Sequence, residues 1–404
     1  MKRPAFSSKQ PDFRMSKPPL YKILKKKESI GLLCNQSAWH RNNRKYSFQS
    51  LAETGRLRKV FIPEHGLFGE LQDQVALDDT SAYKYINDQV EWISLYSSSE
   101  EALTASADQL KGLDTLVIDI QDAGSRYYTY TTTTWLLLKK ITELNLDITV
   151  IVYDKPNPAG RSVEGTRLEK EFSSFIGPEG LPHRHGLTIG ELCNFFKHKL
   201  DGKWELIIEP FRKKEAVFIS PSPNIPTTTT CALYSGQCLW EGTNISEGRG
   251  TTLPFETIGA PFLNWVFAED WNHPKHPVFN ANCYTRPLKF LPVFHKFANQ
   301  SCSGIHLMVH KREKYHSLSH SLQLIKYIRE KTQDFEWRQG KYEAFNDRKA
   351  IELLIGDRLL LQFTENKTSW KEVKFKLSKE EAAWIKEAAP FLVYKSPLQK
   401  LKIK

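Results

Sequence analysis

The 404-residue sequence lacks most of the motifs by which enzymes are identified from sequence alone. It has no GxGxxG motif after its first apolar run and no GxxxxGK(S/T) loop, so neither a dinucleotide site nor an ATP site is indicated. HExxH and GxSxG motifs are also missing, which removes the signatures of zinc peptidases and of serine hydrolases. We therefore expect no cofactor.

Cysteines are few and scattered, and long apolar runs are absent. The six cysteines include no CxxC pair, so neither a zinc framework nor a disulfide framework is indicated, and we expect buried reduced thiols. His183 and His185 lie two residues apart, but no third ligand accompanies them, so a metal site is the weaker interpretation. No apolar run approaches the ~20 residues that cross a bilayer, and we expect no membrane partner.

Positive charge is unevenly distributed over the chain. The formal net charge is +11, and residues 1–28 combine nine Lys and Arg residues with only two acidic residues. We expect 1–28 to be a flexible basic lead-in. It lacks the apolar core of ~7–15 residues found in secretory signals, which favours a cytoplasmic protein. Basic tails also bind nucleic acid, an alternative that we keep, although we expect a solvated end and no nucleic-acid partner.

Apolar runs alternate with polar loops and helical segments over the first half of the chain. Strands are predicted at residues 29–34, 58–62, 92–95, 114–120, 147–153 and 204–209. Their apolar centres favour a sheet buried on both faces. The alternation predicts a doubly wound, mainly parallel α/β domain over 29–226. Three prolines at 221, 223 and 226 favour a boundary before a smaller α+β domain over 227–404, which contributes its 239–252 loop to the cleft.

Helical patterns recur along the chain. Helices are predicted at residues 48–54, 99–110, 131–144, 317–330, 350–355 and 379–389. Thr188 with Glu191 three residues later is a capping-box pattern and predicts another helix start. The apolar run 359–363 is too short for a membrane span, and we interpret it as a core strand.

The most informative stretch is 61–69. An apolar strand is predicted to end at Pro63, which places Glu64 and His65 at its carboxyl end. Ligands of open α/β sheets bind at the carboxyl ends of strands. A carboxylate beside an imidazole there can transfer protons. The same residues also fit a turn whose Glu caps a helix. Further candidates are Asn35, Asp119, Gln121, Asp122, Arg126, Tyr127, Tyr128, Asn157, Arg161, His185, Asn224, Glu241, Glu247 and Arg249.

Carboxylates, aromatic rings and arginines together suit a sugar that carries an acidic group. Rings stack on the apolar face of a sugar, carboxylates exchange protons at a glycosidic oxygen, and arginine binds a carboxylate in bidentate fashion. Structural roles are open as well: Asp122 and Arg126 suit an ion pair, Tyr127 and Tyr128 suit packing under a helix, and Arg161 suits a surface pair.

Six sequence blocks follow one another between residues 29 and 394. They cover residues 63–66, 119–130, 156–165, 184–192, 222–226 and 239–252. In this order they resemble the NamZ-type exo-β-N-acetylmuramidases, and residues 389–394 are similar to the C-terminal signature of that family. Many relatives carry an export signal, which is not visible here.

The resemblance implies a Rossmann-like domain, a smaller C-terminal domain and an active site in the cleft between them. It implies release of N-acetylmuramic acid from the non-reducing end of peptidoglycan fragments, with a disaccharide or a glycan end as partner. Glu64 matches the expected catalytic acid, and Tyr127 and Tyr128 fall in the block expected near the reacting bond. His65 and Asp122 complete the catalytic candidates, and the remaining candidates are assigned to substrate binding. A non-catalytic binder and a glycosidase for another N-acetylated sugar are the alternatives.

Overall fold

The computed structural model describes residues 14–15, 24, 26–73, 75–97, 100–212, 217–340, 342 and 348–403. Most of the lead-in expected at 1–28 lies outside these residues.

A parallel sheet of seven strands forms the centre of the first half, in the order β1-β11-β8-β7-β2-β5-β6. In chain order the strands are β1 (Arg14–Met15), β2 (Ile30–Cys34), β3 (Trp39–His40), β4 (Lys45–Tyr46), β5 (Leu57–Ile62), β6 (Glu91–Ser94), β7 (Thr115–Asp119), β8 (Thr149–Tyr153), β9 (Ser162–Arg167), β10 (Pro182–Arg184), β11 (Glu205–Glu209), β12 (Thr257–Ala260), β13 (Cys283–Phe290), β14 (Cys302–Val309) and β15 (Gln399–Lys400). Every residue of β2 and of β7 is buried, as expected for a sheet covered on both faces. The predicted doubly wound fold is confirmed. The strand order reverses at β2, which pairs with β5 on one side and with β7 on the other, and ligands bind at such points.

Nine α-helices accompany the strands in the described part of the chain. They are α1 (Ser47–Ala52), α2 (Ala107–Leu110), α3 (Thr129–Glu143), α4 (Ile189–Lys199), α5 (Thr228–Gln237), α6 (Ser317–Lys331), α7 (Ala350–Ile355), α8 (Arg358–Thr364) and α9 (Trp370–Ala388). The capping box predicted at the start of α4 is present, because the Thr188 hydroxyl accepts from the Glu191 amide and the Glu191 carboxylate accepts from the Thr188 amide. No helix in the described ranges is both long and apolar enough to cross a bilayer.

Three local predictions differ from the structure. The run 359–363 is helical, not a strand, because the Asp357 carboxylate caps the amides of Leu359 and Leu360 and starts α8. The helix predicted at 99–110 is divided into a 3₁₀ turn at Glu100–Leu103 and the four-residue α2. The helix predicted at 379–389 starts nine residues earlier, at Trp370, where Ser369 and Glu372 form a capping box.

The second half of the chain adds a small antiparallel sheet, β12-β14-β13. Its last elements pack against a strand of the first half. Helix α9 packs against β9, and β15 pairs with β9 in parallel. One hydrophobic cluster runs through both halves, and all six cysteines are buried and unpaired. The domain boundary after residue 226 stays a prediction.

A buried imidazole joins the two halves. His316 precedes α6, and its Nε2 lies 2.8 Å from a Glu381 oxygen on α9 and its Nδ1 3.4 Å from a Glu164 oxygen on β9. Burial alone lowers the pKa of His316, but the charges of Glu381 and Glu164 outweigh it and raise that pKa to about 10. The folded protein therefore holds a charged imidazolium between two carboxylates.

We predict that His316→Gln lowers the free energy of unfolding by about 3–5 kcal/mol at pH 6.5, because the substitution removes the cation beside the buried Glu381 and one of the two cations, His316 and Arg184, beside the buried Glu164. The folded pKa lies above the unfolded value, so the stabilisation is fully present below pH 6.5 and is lost as the pH rises to about 10. The free energies of unfolding of wild type and variant, measured in urea, should converge as the pH rises from 6.5 to about 10. His310→Gln, at an exposed position, is the control. A constant difference across the window would contradict the assignment.

Candidate active site

A small cavity lies at the carboxyl edge of the sheet, next to the residues that follow β5 and β7. Its volume is about 30 Å³. It is lined by Glu64, His65, Asp73, Tyr127, Tyr128, Thr129, Ile176, Tyr234, Glu241, Arg249 and Tyr342. Six of the residues predicted from sequence are therefore brought together, from three separate blocks of the chain.

Glu64 follows β5 and is held by the first turn of α3. Its carboxylate accepts a hydrogen bond of 2.5 Å from the Thr129 hydroxyl, and the side chain is only 6% exposed. The Tyr130 hydroxyl lies 3.1 Å from the Glu64 carbonyl oxygen. His65 and Gly66 have φ values of 74° and 86°, so the chain reverses directly after Glu64. The acid is fixed at both its backbone and its carboxylate.

His65 is a neutral hydrogen-bonding group. Burial, with the nearby Arg249 cation, lowers the pKa of His65 to about 4. Its Nδ1 lies 3.1 Å from the Leu71 carbonyl oxygen, which can only accept, so the ring proton is on Nδ1. Nε2 is then an acceptor beside the cavity.

Tyrosine rings form one wall of the cavity. Tyr127, Tyr128 and Tyr234 meet edge to face at ring distances of 6.2 Å. Burial raises the pKa of all three phenols well above the usual value, so each keeps its proton at neutral pH. The Tyr127 hydroxyl donates to the Ser235 carbonyl oxygen at 3.1 Å. This wall offers apolar ring surface together with hydroxyl donors, a combination that suits a sugar.

A charged group that we call the Arg249 network borders the cavity on another side. It consists of Asp73, Glu241, Glu247, Arg249, His295 and Lys296. The Arg249 guanidinium lies 2.8 Å from Glu241, 3.2 Å from Asp73 and 3.3 Å from Glu247. Tyr342 donates to the other Glu241 oxygen at 2.7 Å.

Asp122, predicted as catalytic, lies outside the cavity lining. Its carboxylate accepts from the Gly124 amide at 2.7 Å and from the Thr131 hydroxyl at 3.0 Å, and it lies 3.2 Å from His185 Nε2. Gln121 and Asn157 likewise donate to backbone carbonyl oxygens of the surrounding turns. These residues shape the loops after β7 and β8.

Arg126 and Arg161, which were predicted to bind substrate, also lie outside the cavity lining. Arg126 is fully buried and donates to the Leu354 and Ile355 carbonyl oxygens at 2.7 and 3.2 Å, at the end of α7. Its guanidinium stacks 4.7 Å from the Tyr127 ring centre, so it supports the wall from behind. Arg161 pairs with the buried Glu191 and not with Glu164. Neither guanidinium is among the groups that line the cavity.

Asn35 and Asn224 do not line the cavity and contact residues next to its lining. Asn35 donates to the Tyr130 hydroxyl at 2.8 Å, and Asn224 donates to Gln72, the neighbour of Asp73, at 2.9 Å. The lining residues that sequence reasoning missed are Asp73, Thr129, Ile176, Tyr234 and Tyr342. Of these, only Thr129 lies within a block that the resemblance covers.

A larger cavity, of about 620 Å³, opens at the same edge of the sheet among Trp39, His40, Tyr153, Lys155 and Phe211. The buried Asp119 beneath it accepts from His40 at 2.7 Å and also from Ser47 and Lys155. Burial would raise the pKa of Asp119, but Lys155 and His40 outweigh it and hold that pKa well below its usual value. A carboxylate that stays ionised cannot act as a general acid, so Asp119 does not suit that role.

Comparison with known proteins identifies the family of this chain. The family model described as "Exo-beta-N-acetylmuramidase NamZ, N-terminal" matches residues 30–229, and its C-terminal counterpart matches residues 232–394. The chain belongs to the NamZ family. It is 32% identical over 389 residues to the peptidoglycan beta-N-acetylmuramidase NamZ of Bacillus subtilis (strain 168), which covers 93% of this chain and 89% of that protein.

Solved structures with the NamZ-like fold come from Bacteroides fragilis NCTC 9343. Two crystal structures of DUF1343 family proteins superpose with TM-scores of 0.76 and 0.68, at 22% and 25% sequence identity. Each match covers 93% of this chain and 96% of the other. The fold is therefore shared along almost the whole chain.

We predict that Thr129→Val lowers kcat about tenfold or more on a substrate of this site, because it removes a hydrogen bond of ~1.5–3 kcal/mol that orients the Glu64 carboxylate. Thr133→Val is a matched control on the same helix, since the buried Thr133 hydroxyl has no hydrogen-bond partner in the described part of the chain. Equal kcat values for the two variants would show that the Thr129 contact does not position the acid.

Proposed function

We propose that this chain is an exo-β-N-acetylmuramidase in which Glu64 is the general acid. It releases N-acetylmuramic acid from the non-reducing end of peptidoglycan fragments, such as a disaccharide or a glycan end. Membership of the NamZ family supports the activity class. The observation that carries the choice of acid is the position of the Glu64 carboxyl, which lines the cavity and is held there by Thr129.

The chemistry requires a proton for the leaving oxygen. Protonated Glu64 donates to the glycosidic oxygen while the bond from that oxygen to the sugar C1 breaks, through an oxocarbenium-like transition state. A second group must then supply water or a nucleophile at C1. Three acceptors in the lining could fill this role: His65 Nε2, Asp73 and Glu241. The 2-acetamido group of the substrate could instead act as the nucleophile.

The shape of the site supports attack at a chain end. A cavity of about 30 Å³ has no room for a glycan that runs through it, and it must widen even for one terminal sugar. The tyrosine wall supplies ring surface for the apolar face of one terminal sugar. A single end residue is therefore the part of the glycan that we expect to enter.

We predict that Glu64→Gln lowers kcat/KM on a chromogenic N-acetylmuramic acid glycoside by ~10²–10⁴-fold, since the amide cannot donate a carboxylic proton. Released chromophore is the measurement, and the free sugar is identified by mass spectrometry. Glu143→Gln, at an exposed position at the end of α3, should keep wild-type turnover.

Three outcomes would contradict the proposal in different ways. Near-wild-type turnover of Glu64→Gln would remove Glu64 as the acid while leaving the activity in place. Sugar binding by the wild type without any product after long incubation would favour a non-catalytic binder. Turnover of other N-acetylated glycosides in preference to the N-acetylmuramic acid glycoside would favour another sugar as substrate.

A further inference from the structure

The Asp73 carboxylate occupies a position that resembles a bound ligand. One of its oxygens lies 3.2 Å from Arg249 Nη1 and the other lies 3.3 Å from His295 Nε2. Two cationic groups therefore contact one carboxylate. Asp73 comes from the loop after β5, whereas Arg249 and His295 belong to the second half of the chain. The same side chain lines the cavity next to Glu64.

Charge in the Arg249 network is balanced only while Asp73 is in place. Burial lowers the pKa of His295, but the hydrogen bonds and charges of Asp73 and Glu247 outweigh it and raise that pKa to about 9. His295, Arg249 and Lys296 thus supply three positive charges against the three carboxylates of Asp73, Glu241 and Glu247. Withdrawal of Asp73 would leave one positive charge uncompensated, and that is the complement of a single carboxylate.

Of the three carboxylates in the Arg249 network, that of Asp73 can move away from the cations at the lowest free-energy cost. Its side chain is 26% exposed, against 4% for Glu241 and 0% for Glu247. A carboxylate at the solvent edge regains water when it moves, whereas the other two would have to cross the protein interior. The Arg249 contacts with Asp73 and with Glu247 are both imperfect, because the buried Nη1 and Nε have no hydrogen-bond partner of good geometry in the described ranges, whereas Nη2 donates to Glu241.

The small volume of the cavity also indicates that Asp73 must move before a sugar can bind. Ligand pockets usually enclose about 300 Å³ or more, and the cavity beside Glu64 has about 30 Å³. A sugar enters only if part of the lining moves. N-acetylmuramic acid differs from N-acetylglucosamine by a lactyl ether that carries one carboxylate, which is the group that Arg249 and His295 are arranged to receive.

We propose that the lactyl carboxylate of the substrate displaces Asp73 from Arg249 and His295, and that these two cations select N-acetylmuramic acid over its uncharged parent sugar. This inference rests on the proposed function and assigns its specificity. Asp73 holds the two cations in place while the site is empty and competes with the substrate for them.

Calorimetric titration with N-acetylmuramic acid and with N-acetylglucosamine tests the exchange without requiring turnover. We expect Asp73→Asn to tighten the binding of N-acetylmuramic acid about tenfold, because it removes the competing charge, and His295→Gln to weaken it about tenfold, because it removes a charged donor. Both variants should bind N-acetylglucosamine as the wild type does. Asp88→Asn makes the same charge change at an exposed position and should alter neither affinity.

The two readouts separate the possible failures. If Asp73→Asn weakens both sugars equally, Asp73 only supports the site and the exchange is overturned. Unchanged selectivity in both variants overturns it as well, while hydrolysis of the chromogenic glycoside by the wild type would leave the proposed function standing. A wild type that neither binds nor cleaves an N-acetylmuramic acid compound would overturn the proposed function and the exchange together.

Discussion

The hydrogen bond from the Thr129 hydroxyl to the Glu64 carboxylate is the contact on which the site depends. Glu64 follows β5 and Thr129 opens α3 after β7, and β2 lies between those strands in the sheet. The bond therefore crosses the point where the strand order reverses, which is where open α/β sheets bind ligands. The bond fixes the orientation of a carboxylate that is only 6% exposed.

Charged groups in this molecule are arranged in closed networks. His316 between Glu164 and Glu381 joins the chain halves deep inside, and the Arg249 network does so at the cavity. Such networks contribute modestly to stability but fix one arrangement of the groups that they contain. The two differ in access to water: the His316 group is fully enclosed, whereas Asp73 reaches the solvent edge. Only the second network is therefore suited to exchange one anion for another.

Sequence reasoning found the parts of the site that depend on local order. Pro63 ends a strand and Gly66 permits the reversal, so Glu64 and His65 at a strand end follow from sequence. The sequence could not show that Arg126 turns away to the carbonyl oxygens of α7, because that contact spans more than two hundred residues. Tyr234 was missed for a related reason, since a tyrosine inside a helix looks like ordinary core. The run 359–363 was misassigned because an apolar stretch fits a strand or a helix until its cap, Asp357, is considered.

A structure of the Glu64→Gln variant with an N-acetylmuramic acid disaccharide is the most direct test of the central claim. The account predicts the terminal sugar against the tyrosine wall, with the residue 64 side chain within about 3 Å of the glycosidic oxygen. A disaccharide bound instead in the larger cavity beside Tyr153 and Lys155, remote from residue 64, would contradict it.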